Sequence, residues 1–390
     1  MAGSIEKRGK NSYRLVVSAG YGLEGKRKKF TKTVKCKNIT QARKELVKFV
    51  ASVENDTFIE PAKVTLSAFA YKWLEVYAMP NLADKTINTY QGYLDTKILP
   101  YIGHMKLSQI KPMHLLDYYK FLKEKYKKKN GEPLSNNSII KYHKLLNVIF
   151  KTAVKWEILS KNPAENISPA KYVKPKHEFY DEEEVKLLIS CLKNEPMKYK
   201  VAIMITVTAG LRLGELMGLK WEHIDFENNT ITIEQANQYL SKKGTFTKDP
   251  KNFSSNRTIS VPGSITKLIK KYQIEQLENK LKCGDLWEET GFLFTQWNGK
   301  AMHPYTPSKW FDKFIKRNGL KKITFHQLRH TSATMLINSG INVRALSSRL
   351  GHSNTSTTMN IYAHELKSVD KAAADKLEEM FFETGEKDIK

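Results

Sequence analysis

At 390 residues and 41% hydrophobic composition, the chain is too long for one ordinary core and too apolar to be disordered, so two or three folded domains are expected. Its 65 Lys/Arg against 40 Asp/Glu give a formal net charge of +25, which makes a polyanion the natural partner. No run of about 18 apolar residues, no secretory leader in MAGSIEKRGKNSYRL and no disulfide or metal spacing among Cys36, Cys191 and Cys283 is found, which argues against a membrane-spanning or exported chain and fits a reducing cytoplasm.

Residues 1–60 hold 14 Lys/Arg against six Asp/Glu. Tyr13, Leu15 and Val17 alternate with Arg14, Val16 and Ser18, the period of a half-buried strand. A Gly-rich turn at Gly20–Gly25 leads into a basic strand around Arg27–Val34. Thr40 is a good N-cap for a helix over Gln41–Val53, with Leu46, Phe49, Val50 and Val53 on one face. A small sheet packed by one helix, with Arg14, Arg27, Lys28 and Lys29 on its open strands, suits a DNA groove; a merely solvated cationic face is the plainer alternative.

From Thr65 the period becomes helical. Leu66, Phe69, Ala70, Trp73, Leu74 and Tyr77 fall on one face, followed by Ile87/Tyr90/Leu94/Ile98 and Leu115/Tyr118/Tyr119/Leu122. Ser135 caps a long helix containing Ile139, Leu146, Ile149, Phe150, Ala153 and Trp156, with Asn162-Pro163 as its stop. The aromatic residues of 64–167 sit at core spacing, not as base-stacking platforms. Lys125–Lys129 before Asn130-Gly131 reads as an exposed loop, and 168–179 (SPAKYVKPKHEF) as a Pro/Lys linker. An acidic helix start at Asp181–Glu184 opens a last, mostly helical domain, 180–390. It carries a hairpin in which Asn228-Asn229 turns into Thr230–Ile233 and Arg257–Val261 forms another strand.

Four segments of that domain carry groups suited to a phosphodiester. In AGLRLGELMGL (209–219), Gly210 permits a tight turn, and Arg212 and Glu215 lie one helical turn apart, by themselves only a surface ion pair. In TFHQLRHTSATMLINSG (324–340), Thr324 and Gln327 form a capping box, so His326 and Arg329 lie on one side of a helix start that favours anions, while His330 projects elsewhere. In LGHSNTSTTMNIYAH (350–364), Gly351 ends a helix begun near Asn342, His352 follows in a loop, and Tyr362 comes ten residues later. In DPKNFSSNRTISV (249–261), Lys251 precedes the second strand. Each alone is weak; Tyr362 is one of 18 tyrosines.

Together, Arg212, Lys251, His326-x-x-Arg329, His352 and Tyr362 stand in the order and contexts of the tyrosine recombinase (phage integrase) family. The chain resembles integrases of temperate phages and conjugative transposons of low-GC Gram-positive bacteria. The resemblance implies a multidomain, mainly α protein. It has a small N-terminal β-sheet plus helix domain for arm-type DNA sites (1–60) and an all-helical, SAM-like core-binding domain (64–167). A linker (168–179) joins these to a mixed, mainly-α catalytic domain with a small antiparallel sheet and a tail helix (180–390). It further implies attachment-site DNA as substrate, a 3′-phosphotyrosyl intermediate, a Holliday junction, a homo-tetramer on two duplexes, and an excisionase or host DNA-bending protein as further partners. Lys251 becomes the general acid and His352 a hydrogen-bond donor to phosphate. Relatives commonly follow that Lys with Thr, where Asn252 stands here, and Lys248 lies three residues upstream.

The chemistry is intelligible without the family. Two guanidinia, Arg212 and Arg329, offer paired donors to phosphate oxygens, with Glu215 orienting them. Tyrosine has a pKa near 10, so His326 is the candidate to accept its proton. Attack by Tyr362 stores bond energy in a phosphotyrosyl link, and no ATP, metal or other cofactor is required. A type IB topoisomerase-like relaxing enzyme and a catalytically silent DNA-binding regulator are the competing readings.

Overall fold

Three strands open the chain. β1 (Gly3–Gly9), β2 (Ser12–Tyr21) and β3 (Arg27–Lys35) pair antiparallel in that order. The computed structural model describes residues 3–21, 27–54, 64–128, 131–173, 178–240, 243–248, 256–352, 354–361 and positions 377, 378, 380 and 381. Most of the expected Gly20–Gly25 turn, the side chains of Arg27 and Lys28, and both Lys251 and Tyr362 lie outside that description.

Alternation in β2 does what its period dictates. Tyr13, Leu15 and Val17 are buried, and Leu15 and Val17 pack with Phe49 and Val53 of helix α1 (Ile39–Glu54). Pairing then fixes the other face: Arg14 stands opposite Glu6 and Thr33, and Ser18 opposite Lys29, so Arg14 and Lys29 share the side away from the core. The helix begins earlier than Thr40 suggests. Asn38 Oδ1 accepts from Gln41 N at 2.9 Å, so Asn38 is the cap, and Gln41 Oε1 reaches back past it to accept from Lys37 N at 3.0 Å.

The chain forms two compact units, Met1–Pro175 and Lys176–Lys390. Within the first, 64–173 has its own helical core. Thr65 caps α2 (Leu66–Trp73) by accepting from Ala68 N. α2 passes through a π turn, Leu74–Ala78, into α3 (Met79–Asn81); α4 (Asp84–Tyr93) passes through a second, Leu94–Ile98, into α5 (Leu99–Ile102). Hydrophobic periodicity hides these turns, but proline explains them. Pro80 and Pro100 have no N–H and crowd the carbonyl four residues back, Val76 and Thr96, which is the middle of each π turn. α6 (Pro112–Glu124) buries Leu115, Tyr118, Tyr119 and Leu122 as expected.

Trp73 is fully buried and donates from Nε1 to Thr152 Oγ1 of α7 (Asn136–Lys155) at 3.1 Å, which ties the first long helix to the last. That helix stops before Asn162-Pro163: Trp156 caps it and Glu157 takes a left-handed φ of 58°. The segment up to Val173 is held to α7, where Asn137 pairs through Oδ1 and Nδ2 with the backbone N and O of Val173.

In the second unit, Asp181 and Glu184 exchange both capping-box bonds at the start of α8 (Glu182–Cys191). Buried α9 (Met197–Ala209) runs through the core and leads to short α10 (Leu213–Gly218). β4 (Ile224–Asp225) and β5 (Thr230–Ile233) follow. A separate hairpin of β6 (Ala236–Leu240) and β7 (Gly244–Lys248) then precedes β8 (Arg257–Ser260), which pairs with β5. The polar segment ANQYLSKKGTFTK gave no sign of that hairpin. Ile224, Ile231 and Ile259 align across the sheet and are buried. The helices α11 (Gly263–Cys283), α12 (Thr306–Arg317), α13 (Phe325–Asn338), α14 (Val343–Leu350) and α15 (Thr355–Ile361) complete it. Among the described residues no helix is long and apolar enough to cross a membrane.

Candidate active site

Two left-handed glycines frame the site. Gly210 (φ 67°) ends α9 and Gly351 (φ 64°) ends α14, a conformation that favours glycine. Space reinforces the choice: a Cβ on Gly210 would lie 2.8 Å from Leu350 Cδ2, and one on Gly351 2.7 Å from Arg257 Nη1. The turn at Gly210 makes Arg212 the N-cap residue of α10, and Glu215, one turn on, curls back to accept from Arg212 N at 2.9 Å. Asn342 caps α14 through Arg344 N, so the helix read from Asn342 to Gly351 is present with both ends as expected.

Three guanidinia converge on Glu215. Arg212 Nη1 donates to Oε1 at 2.6 Å, Arg257 Nη2 to Oε2 at 2.8 Å, and Arg329 Nη1 lies 3.9 Å from Oε2. The same three donate to three successive carbonyls at the end of α14: Arg257 Nε to Arg349 O (2.7 Å), Arg329 Nη2 to Leu350 O (2.7 Å) and Arg212 Nη2 to Gly351 O (3.0 Å). These carbonyls are the unsatisfied, negative end of the helix, where cations are stabilised. Arg329 Nη1 also bonds Gly210 O at 2.7 Å. Burial acts to raise the Glu215 pKa, but the Arg257 bond and the Arg257 and Arg212 charges outweigh it, so the carboxyl sits below its usual range and is ionised.

Exposure separates the arginines. The Arg212 side chain is 37% exposed, that of Arg257 8% and that of Arg329 3%. Arg329 Nη2 also lies 3.0 Å from His352 Nε2. A guanidinium has no acceptor, so Nε2 must accept, and the ring proton sits on Nδ1, which donates to Thr358 Oγ1 at 2.7 Å. Burial first, then the charges of Arg329, Arg212 and Arg257, lower the His352 pKa to about 4 and keep the ring neutral. Thr358 is fully buried on α15, and Tyr362 is the residue after that helix in sequence.

The structure therefore brings together Arg212, Glu215, Arg329 and His352. His326 is exposed in the first turn of α13, 5.2 Å edge-on from the ring of buried His330, and Thr324 N donates to Gln327 Oε1 there. Lys251 falls between β7 and β8 in sequence. Sequence reasoning missed Arg257 and Arg349; the latter donates to Thr208 O and Ser260 O and so joins α9, β8 and α14. One signal was at hand. The chain has only ten arginines beside 55 lysines, and four of the ten meet here.

Residues 178–368 match the phage integrase family and residues 65–123 its N-terminal SAM-like domain. The chain is 30% identical to the tyrosine recombinase XerC-like protein of Caldanaerobacter subterraneus, over 96% of this chain and 98% of that one. In fold it is similar to the Tn1549 transposon integrase in complex with transposon right end DNA (TM-score 0.67, 22% identity, 80% of this chain and 99% of that one). It is also similar to lambda integrase in a tetramer bound to a Holliday junction (TM-score 0.55, 18% identity, 90% and 96% of the two chains).

Proposed function

The chain belongs to the phage integrase family of tyrosine recombinases, and from that premise we propose that Tyr362 cuts attachment-site DNA while Arg212 and Arg329 hold the scissile phosphate. The observation that carries this reading is the convergence of both guanidinia, Glu215 and His352 at the end of α14, ten residues before Tyr362. The Tyr362 phenolic oxygen forms a bond to phosphorus, the bond to the 5′-oxygen breaks, and a 3′-phosphotyrosyl link results. His326 takes the phenol proton, and Lys251 gives one to the leaving 5′-oxygen. A free 5′-hydroxyl from a second duplex reverses the step, without metal or ATP.

Electrostatics gives His352 its part. Arg329 is buried with one edge turned to the imidazole, so an arriving phosphate oxygen replaces Nε2 as its acceptor. Burial and, after it, the arginine charges keep the ring neutral; the phosphate's negative charge offsets the second, so His352 gains a proton and donates to the phosphate.

Exchange between two duplexes requires four cleavages, hence a tetramer passing through a Holliday junction. Leu377, Met380 and Phe381 in the tail are 51%, 60% and 67% exposed, an apolar surface suited to a neighbouring subunit. The sheet face bearing Arg14 and Lys29, with Arg27 and Lys28 nearby in sequence, serves arm-type sites, and an excisionase or host bending protein sets direction. On this reading the protein acts on DNA in the bacterial cytoplasm. The test is a nicked suicide duplex in EDTA. A trapped covalent adduct that Tyr362→Phe abolishes is expected; no adduct with intact DNA binding leaves only a silent DNA-binding regulator.

A further inference from the structure

The position of Arg257 has no part in the chemistry above, yet it makes as many bonds to the cluster as either phosphate-binding arginine. Its Nη2 and Nη1 approach Oε2 and Oε1 of Glu215 at 2.8 and 3.4 Å, and its Nε is spent on Arg349 O. Gly351 lies against its guanidinium so closely that no side chain fits between them. β8 holds its backbone opposite Ile233 in the sheet. Arg257 is thus fixed edge-on to the carboxylate, on the strand that follows the Lys251 segment.

Glu215 solves one problem and creates another. It fixes Arg212 by accepting from both its backbone N and its Nη1. A buried carboxylate beside two phosphate-binding guanidinia also cancels part of the charge that the phosphate needs. Three guanidinia within 4 Å of one carboxylate leave a net +2; without Arg257 the same group carries +1. Resting on the recombinase reading, we propose that Arg257 is a positioning residue, the counter-ion that neutralises Glu215 so that the charge of Arg212 and Arg329 stays available to the scissile phosphate.

The test is single-turnover cleavage of a nicked duplex whose sequence is recovered by covalent trapping from a random duplex pool, with thermal unfolding measured alongside. Arg257→Met is expected to slow cleavage by about 30- to 100-fold, a loss of transition-state stabilisation. Adding Glu215→Gln returns the group to +2 and should recover roughly tenfold of that loss, which no simple packing defect would do. Arg257→Lys keeps the charge without the fork and should lose less than about tenfold. The proposal is overturned if the double variant cleaves no faster than Arg257→Met, or if Arg257→Lys is equally slow at equal folded fraction. Should Arg257→Met fail to fold, Arg257→Gln, which also removes the charge, takes its place in both comparisons. A wild-type chain that traps no duplex from the pool overturns the recombinase reading instead.

Discussion

Two regions of this molecule concentrate positive charge, and they do it by opposite means. On the N-terminal sheet, Arg14 and Lys29 lie on the face away from the core; Lys29 is exposed and Arg14 forms a loose ion pair with Glu6 at 3.8 Å. At the end of α14, the side chains of Arg257 and Arg329 are buried, and they and Arg212 are each bonded to a carbonyl of 349–351. Exposed cations adapt to a polyanion whose register varies, and salt weakens them. Buried forks cannot move, and they give direction to charge that chemistry needs at one point. Either cation serves the first task, as Arg14 and Lys29 do, whereas the second needs the planar fork of arginine.

That contrast predicts different answers to the same substitution. Arg329→Lys should lower cleavage by about 10²- to 10³-fold, because an ammonium cannot bond Gly210 O and Leu350 O together and still face the phosphate. Arg14→Lys should change affinity for arm-site DNA by less than about twofold, since only the charge matters there. Equal losses from the two variants would erase the distinction.

A second, smaller effect separates the regions by pH. The His352 pKa is about 4 when folded against an ordinary 6.5, so between these values the unfolded chain binds a proton that the folded chain refuses. Stability therefore rises with pH across that window and is lost as pH falls from 6.5 towards 4. Unfolding midpoints at pH 7 and pH 5 should converge in His352→Asn relative to wild type; an unchanged gap would assign the loss to other groups. The smallest effect is at the sheet, where Lys29→Ala should flatten the slope of log affinity against log salt by about 0.9. A change in affinity without a change in slope would mean that Lys29 does not neutralise a phosphate.

The sequence carried the frame of the site because its parts are local. Gly210, Arg212 and Glu215 fall within six positions, and Asn342, Gly351 and His352 mark a helix and its exit. Arg257 could not be placed in the site for the opposite reason: its scarcity marked it, but Glu215 lies 42 positions away and Arg349 92, and it is the β5–β8 pairing that brings it there. Likewise the hydrophobic period found the helices around Trp73 and Leu94 but could not show their π turns, which depend on Pro80 and Pro100. The end of α7 was misplaced because Glu157, not a glycine, takes the left-handed cap.

Fixed guanidinia have meaning only if a phosphodiester becomes bonded to this chain at one tyrosine. Mass spectrometry of the nuclease-trimmed, trypsin-digested adduct measures that bond directly. The expected product is a peptide carrying a nucleotide 3′-phosphate on Tyr362. A 5′-phosphate linkage, or attachment at any other residue, would contradict the account.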